Sequence, residues 1–128
     1  MNIDNPRVVA EITAMLDRYD RAIATNDLDA LDEMFWRSDK TLRYAANGNL
    51  YGHAAISVFR RGRDIKGVER TRGRTVITTF GENFATADAE YSRPGLRGVT
   101  RQSQTWVRMP EGWRIVAAHV SDFAAANG

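Results

Sequence analysis

Two side chains stand out for the chemistry that their type and position allow. Arg43 sits in a short apolar run with Leu42, Tyr44, Ala45 and Ala46, where a half-buried strand ordinarily carries valine or threonine. Its planar fork matches a carboxylate through two parallel hydrogen bonds. Either the guanidinium reaches water along the strand, or it points into a cavity that takes an anion. Tyr19 falls on the apolar face of an N-terminal helical repeat, so its ring belongs inside. A buried phenol needs a hydrogen-bond partner. A nearby backbone carbonyl is the commoner one; the other is a ligand in a pocket, to which the phenol donates a proton. Residue types alone leave both alternatives open at both positions.

The rest of the inventory narrows the chemistry by elimination. There is no cysteine, and the only histidines are His53 and His119. No H-x-E, HExxH or carboxylate-ladder spacing supplies a metal site, and no GxGxxG, P-loop or G-x-S-x-G motif is present. The chain is therefore expected to work without metal or cofactor, through acid–base groups, hydrogen bonds and charge. By period two, His119 shares a side with Ile115, Ala117 and Ser121. It reads either as a hydrogen-bonded core histidine or as a pocket group that holds a ligand or moves a proton near neutral pH. Gln104, one period before Trp106, offers a donor and acceptors. The stretch RQSQTW is polar for a central strand, so one of its faces meets water, a ligand or another subunit. Trp36, Trp106 and Trp113 suit a core or an interface better than a ligand cage. The basic run from Arg60 to Arg74 reads as a solvated helix end and loop. It lacks the interleaved aromatics of a nucleic-acid platform, although a positive rim would draw in a small dianion.

These groups must be positioned by one domain, residues 1–128, because the length suffices for one core and not two. Asn5 caps a helix that has Pro6 in its first turn, with Val9, Ile12, Leu16, Tyr19 and Ile23 on one face. TND at 25–27 ends it and caps a short second helix through Leu28, Leu31 and Met34–Phe35. Short strands follow at 42–45 and 50–51 around the ANGN turn, then a third helix that buries Ile56 and Phe59 and ends by Gly62. Strands at 69–80, 84–91, 99–109 and 113–121 complete the chain. Helices first and an antiparallel meander afterwards is an α+β pattern: about three N-terminal helices packed in a strongly curved sheet, a cone whose mouth is a natural pocket. No stretch nears the ~20 apolar residues of a membrane span, and Met1–Pro6 is polar, so a cytoplasmic protein is expected.

The order of elements, with YGHAAISVFRR and the closing SQTWVRMPEGWRIVAAHVS, resembles the SnoaL-like, nuclear-transport-factor-2-like superfamily. MNIDNPRVVAEI, LDEMFW, NLYG and RQSQTWVRMPEGWRIVAAHVS bring it nearest to the AtzH-like branch, proteins of cyanuric acid degradation and related oxalurate catabolism. The resemblance implies a cone-shaped fold, a homodimer through the outer sheet face, and a small anionic urea-like substrate. It also implies an amidohydrolase that converts 1,3-dicarboxyurea to allophanate with loss of a carboxylate. The tyrosine and arginine on which such an enzyme depends match Tyr19 in LDRYDRA and Arg43 in KTLRY. In that reading Arg43 grips a carboxylate, Tyr19 relays the proton, and Gln104 and His119 hold the urea core. Ser121 and Trp36 complete the candidate substrate-binding set. Two other readings share the pocket: an oxalurate or ureide-catabolism enzyme, and a non-catalytic dimeric module serving an amidase.

Overall fold

The structure, a computed structural model, describes residues 1–124. Helix α1 (Pro6–Thr25) starts at Asn5, whose side chain accepts a hydrogen bond from the Arg7 amide, and stops at Asn26 in the left-handed conformation, φ 53°. The buried face of α1 is Val8, Ile12, Leu16, Tyr19 and Ala22. Val8 thus takes the inward place expected of Val9, and Ile23 is half-buried. Asp27 caps α2 (Leu28–Met34) by accepting from the Ala30 amide. A hairpin of β1 (Leu42–Ala45) and β2 (Gly48–Tyr51) leads to α3 (His53–Arg61). The long strands β3 (Thr71–Phe80), β4 (Phe84–Ser92), β5 (Gly98–Met109) and β6 (Gly112–Ala124) follow.

The six strands form one sheet in the order β2-β1-β6-β5-β4-β3. The meander from β3 to β6 is antiparallel, but β1 joins β6 in parallel, with Arg43 opposite Ala118 and Tyr44 opposite His119. Two irregularities bend the sheet. One lies between Arg72 and Thr75 in β3, the other where Trp106 pairs with Ile115 while Thr105 pairs with Ala117, leaving Val116 as an extra residue. Bulges of this kind increase local twist and re-aim side chains.

The concave face carries small Ala85, Ala87 and Ala89 on β4, which make room for the helices. Trp106, Ile115, Phe35, Leu31, Met34 and Ile56 fill the core against α1. Each such side chain contributes about 1.5–3 kcal/mol on burial. Trp106 and Trp113 are both core residues. No helix among the described residues is long and apolar enough to cross a membrane.

Candidate active site

At the open end of the cone lies a cavity of about 260 Å³. That is a little below the roughly 300–1,000 Å³ of ordinary ligand sites, which suits a molecule of few atoms. Five elements build it: the C-terminal half of α1 brings Tyr19, β1 brings Arg43, α3 brings Arg60, β5 brings Gln102 and β6 brings Asp122. The connecting segment 62–70 adds Arg63 and Arg70 and closes one side. This segment is held to the end of α1: the Val68 amide donates to the Ile23 carbonyl at 3.1 Å, and Asn26 Nδ2 donates to the Ile65 carbonyl at 2.8 Å. Gly67, at φ 139°, lets the chain approach so closely that a Cβ there would lie 2.2 Å from the Ala24 carbonyl oxygen.

The charge in this space is one-sided. Arg43, Arg60, Arg63, Arg70 and Arg93 all line the cavity. Arg70 is paired with Asp20 at 3.2 Å and Arg93 with Asp122 at 2.7 Å. Among the described residues, Arg43, Arg60 and Arg63 have no carboxylate partner. They rest on aromatic faces instead: Arg43 and Arg63 lie 5.7 and 5.0 Å from the Phe59 ring, and Arg60 lies 5.1 Å from the Phe35 ring. Cation–π contacts recover part of what desolvation costs, but three buried nitrogens have no hydrogen-bond partner among the described residues: Arg43 Nη1, Arg60 Nε and Arg63 Nε. Burial together with the neighbouring positive charges lowers the pKa of Arg43 and Arg63. Buried charges without counter-ions are costly, and an anion in the cavity would offset that cost.

Tyr19 lies in the middle of this positive field. Burial pushes its phenol up, but the charges of Arg60, Arg70 and Arg43, with a hydrogen bond from Arg60, outweigh burial and hold it below its ordinary value. Arg60 Nη2 donates to Tyr19 Oη at 3.4 Å. A guanidinium has no acceptor, so the phenol oxygen receives that bond and its own proton is left to be donated elsewhere.

The structure brings Tyr19 and Arg43 into one cavity and separates most of the other candidates from it. His119 is exposed on the outer face of the sheet, edge-on to Tyr44 at 6.0 Å between ring centroids. The extra residue at Val116 is the reason: alternation keeps Ile115 inward, but beyond the bulge Ala118 faces in and Ala117 and His119 face out. Ser121 contributes to the cavity rim between Val120 and Asp122. Gln104 is buried but is not part of the cavity lining, and its Oε1 accepts from Trp106 Nε1 at 3.1 Å. Trp36 is half-buried away from the cavity, its amide donating to the Ile115 carbonyl. The basic run is a solvated face only in part: Arg61, Lys66 and Arg74 are exposed, but other members turn inward. Arg60 is 2% exposed, and Arg63 and Arg70 line the cavity. Arg61 and Arg72 are taken up by ion pairs with Asp32 and Asp29, and with Asp17 and Asp20. Among the described residues no group of three or more His, Asp or Glu side chains could hold a metal ion.

Comparison with known proteins agrees with the fold. The AtzH-like family model matches residues 1–126. A protein of unknown function from Pectobacterium atrosepticum, of the DUF3225 family, is 48% identical, with 95% of each chain covered and a TM-score of 0.91. A cystatin-like fold protein from Burkholderia xenovorans is 38% identical, with 98% of this chain and 99% of that one covered and a TM-score of 0.92. A nuclear transport factor 2-like superfamily protein from Salmonella enterica is 27% identical over 96% of this chain and 95% of its own, with a TM-score of 0.77. The fold is thus the nuclear-transport-factor-2-like cone. A search of curated proteins returned no match.

Proposed function

Since the chain belongs to the AtzH-like family, we propose that it is a small-molecule hydrolase that removes one carboxylate from 1,3-dicarboxyurea to leave allophanate. The observation that carries this reading is the convergence on Tyr19 of guanidiniums that lack carboxylate partners, in a cavity of about 260 Å³. The substrate is a small dianion, two N-carboxylates on a urea carbonyl. Arg43 grips the carboxylate that is retained, by its two-pronged fork, and fixes orientation. Arg60 holds the Tyr19 oxygen, so that the phenol proton faces the nitrogen of the other carbamate. Tyr19 protonates that nitrogen, the C–N bond breaks, and its electron pair stays on nitrogen as carbon dioxide leaves. One dianion and one proton become one allophanate monoanion and one carbon dioxide, and hydration of the carbon dioxide to bicarbonate makes the net change a hydrolysis; solvent reprotonates the phenolate. The remaining guanidiniums stabilise the negative charge while it is redistributed.

A general acid supplies typically ~10²–10⁴-fold, which suits a carbamate that is already labile. The test is incubation of the purified protein with 1,3-dicarboxyurea and, separately, with oxalurate, each followed by mass spectrometry. Allophanate formation above the spontaneous rate supports the reading. Turnover of oxalurate alone would move it to a ureide-processing enzyme, and turnover of neither would reject it.

A further inference from the structure

Gln102 was not among the residues expected to bind substrate, yet it is 2% exposed and lines the cavity. A chain of hydrogen bonds fixes which way its amide points. Asp20 accepts from Arg70 Nη2 at 3.2 Å and from Arg72 Nη1 at 2.8 Å, so both its oxygens serve as acceptors for guanidiniums. Tyr91 Oη donates its one proton to Asp20 Oδ1 at 2.7 Å. The Tyr91 oxygen is then left to accept, and it does so from Gln102 Nε2 at 3.3 Å. The amide of Gln102 is therefore not free to turn over, because its carbonyl oxygen against Tyr91 would leave two acceptors facing each other. Gln102 Oε1 is left buried with no partner among the described residues. Gln102 lines the cavity beside the guanidiniums and Asp122, and whereas Asp122 already accepts from Arg93 and Thr100, Gln102 Oε1 is an acceptor that only an N–H or O–H can fill; leaving it empty costs the desolvation of a buried carbonyl.

We propose that Gln102 reads a nitrogen of the ligand: the site selects anions whose skeleton carries an N–H donor and discriminates against isosteric dicarboxylates that have CH₂ in its place. This rests on the cavity being the substrate site, and it deepens the proposed function by assigning how the urea skeleton is told from an ordinary dicarboxylic acid. Gln102 acts here as a specificity-determining residue, and Tyr91, through it, as a positioning residue.

N-Oxalylglycine and 2-oxoglutarate test the proposal without relying on turnover. They are stable dianions of equal length that differ by N–H for CH₂. Calorimetric titration of the full chain is expected to give an affinity at least ~10-fold higher for N-oxalylglycine, the weight of one hydrogen bond to a buried acceptor. Gln102→Met, with circular dichroism as the fold control, is expected to bring the ratio to within twofold by weakening only N-oxalylglycine. Tyr91→Phe, which frees the amide to turn over, is expected to lower the ratio as well. Equal binding by the wild-type protein, a ratio that survives Gln102→Met, or a loss of both ligands together in a folded variant would each overturn the assignment, as would binding of neither probe. The wild-type ratio needs no variant, so a failure of Gln102→Met to fold leaves the proposal exposed to refutation. Equal binding alongside turnover of 1,3-dicarboxyurea defeats this inference alone. Discrimination without turnover defeats the proposed function alone.

Discussion

At the scale of the residue, the cavity owes its character to side chains that are out of place by ordinary burial rules. Arginine is almost never fully buried unless paired, yet Arg60 is 2% exposed with a phenol and an aromatic face as its neighbours. Tyr19→Phe keeps the ring against Phe35 and removes only the proton. Turnover is expected to fall ~10²–10⁴-fold with the melting temperature nearly unchanged. A second prediction concerns pH. In the proposed reaction Tyr19 must be protonated, and the surrounding guanidiniums hold its pKa below 10.0. Activity should therefore fall on the alkaline side at a pH below the ordinary phenol range. Arg60→Met should carry that limb upward, because removing the charge leaves burial to raise the phenol. A kcat/KM profile of the two proteins checks this, and an unmoved limb would assign it to another group. Arg43 and Tyr19 were legible in the sequence because their types are odd for their places. Arg60 was not, although it stands four residues after Ile56 and so on the same helix face. A run of arginines reads as surface until the fold shows which of them turn inward.

At the scale of the element, a connecting segment matters as much as the helices and strands. Residues 62–70 carry Arg63 and Arg70 and are fixed to the end of α1 at Val68, Asn26 and Gly67. Gly67→Ala places a methyl group against the Ala24 carbonyl at a backbone angle that suits glycine. It is expected to destabilise by about 1–3 kcal/mol and to raise KM more than it lowers kcat, measured by thermal unfolding and steady-state kinetics. An unaltered KM would mean that the segment does not shape the site. The boundaries of most elements followed from caps and periodicity: Asn5, Pro6 and Asp27 mark helix starts that the structure keeps. The inward and outward assignment on β6 did not follow. One extra residue at Val116 inverts the alternation beyond it, and a bulge leaves no mark in a pattern of alternating side chains. That is why His119 was expected near the ligand and lies on the opposite face.

At the scale of the whole molecule, formal charge is nearly balanced, +2 from 18 basic and 16 acidic residues. The balance conceals a division of labour. Acidic side chains pair with arginines around the outside, as Asp29 and Asp32 do with Arg61, while the cavity keeps guanidiniums that no carboxylate among the described residues neutralises. The molecule should thus be stabilised by anions that fit inside. A ligand at 100 times its Kd adds about 2.7 kcal/mol, so a small dicarboxylate should raise the melting temperature by several degrees, and Arg60→Met should abolish most of the rise. The α+β class was legible because helices precede the strands and the strand signals are strong. The parallel seating of β1 on β6 was not, because the two segments lie some seventy residues apart and nothing local encodes their pairing.

At the farthest end of the cone, Glu11 accepts from Arg108 and from Trp113 Nε1, tying α1 to β5 and β6. The Arg108 hydrogen bond leads the effects that lower its pKa, against the opposing effect of burial. A carboxylate depressed in the fold stabilises above its unfolded value of 4.5 and loses that contribution as pH falls through the lower folded value. Glu11→Gln should therefore cost about 1 kcal/mol at pH 7 and nothing in strong acid, seen as urea midpoints that converge as pH drops below 4.5.

The measurement that bears most directly on the whole account is the rate of allophanate formation from freshly prepared 1,3-dicarboxyurea, with the wild-type protein and with Tyr19→Phe at equal concentration. Conversion well above the uncatalysed rate is expected for the first and a fall of ~10²–10⁴-fold for the second. Equal rates for the two folded proteins, or a wild-type rate no faster than buffer, would contradict it.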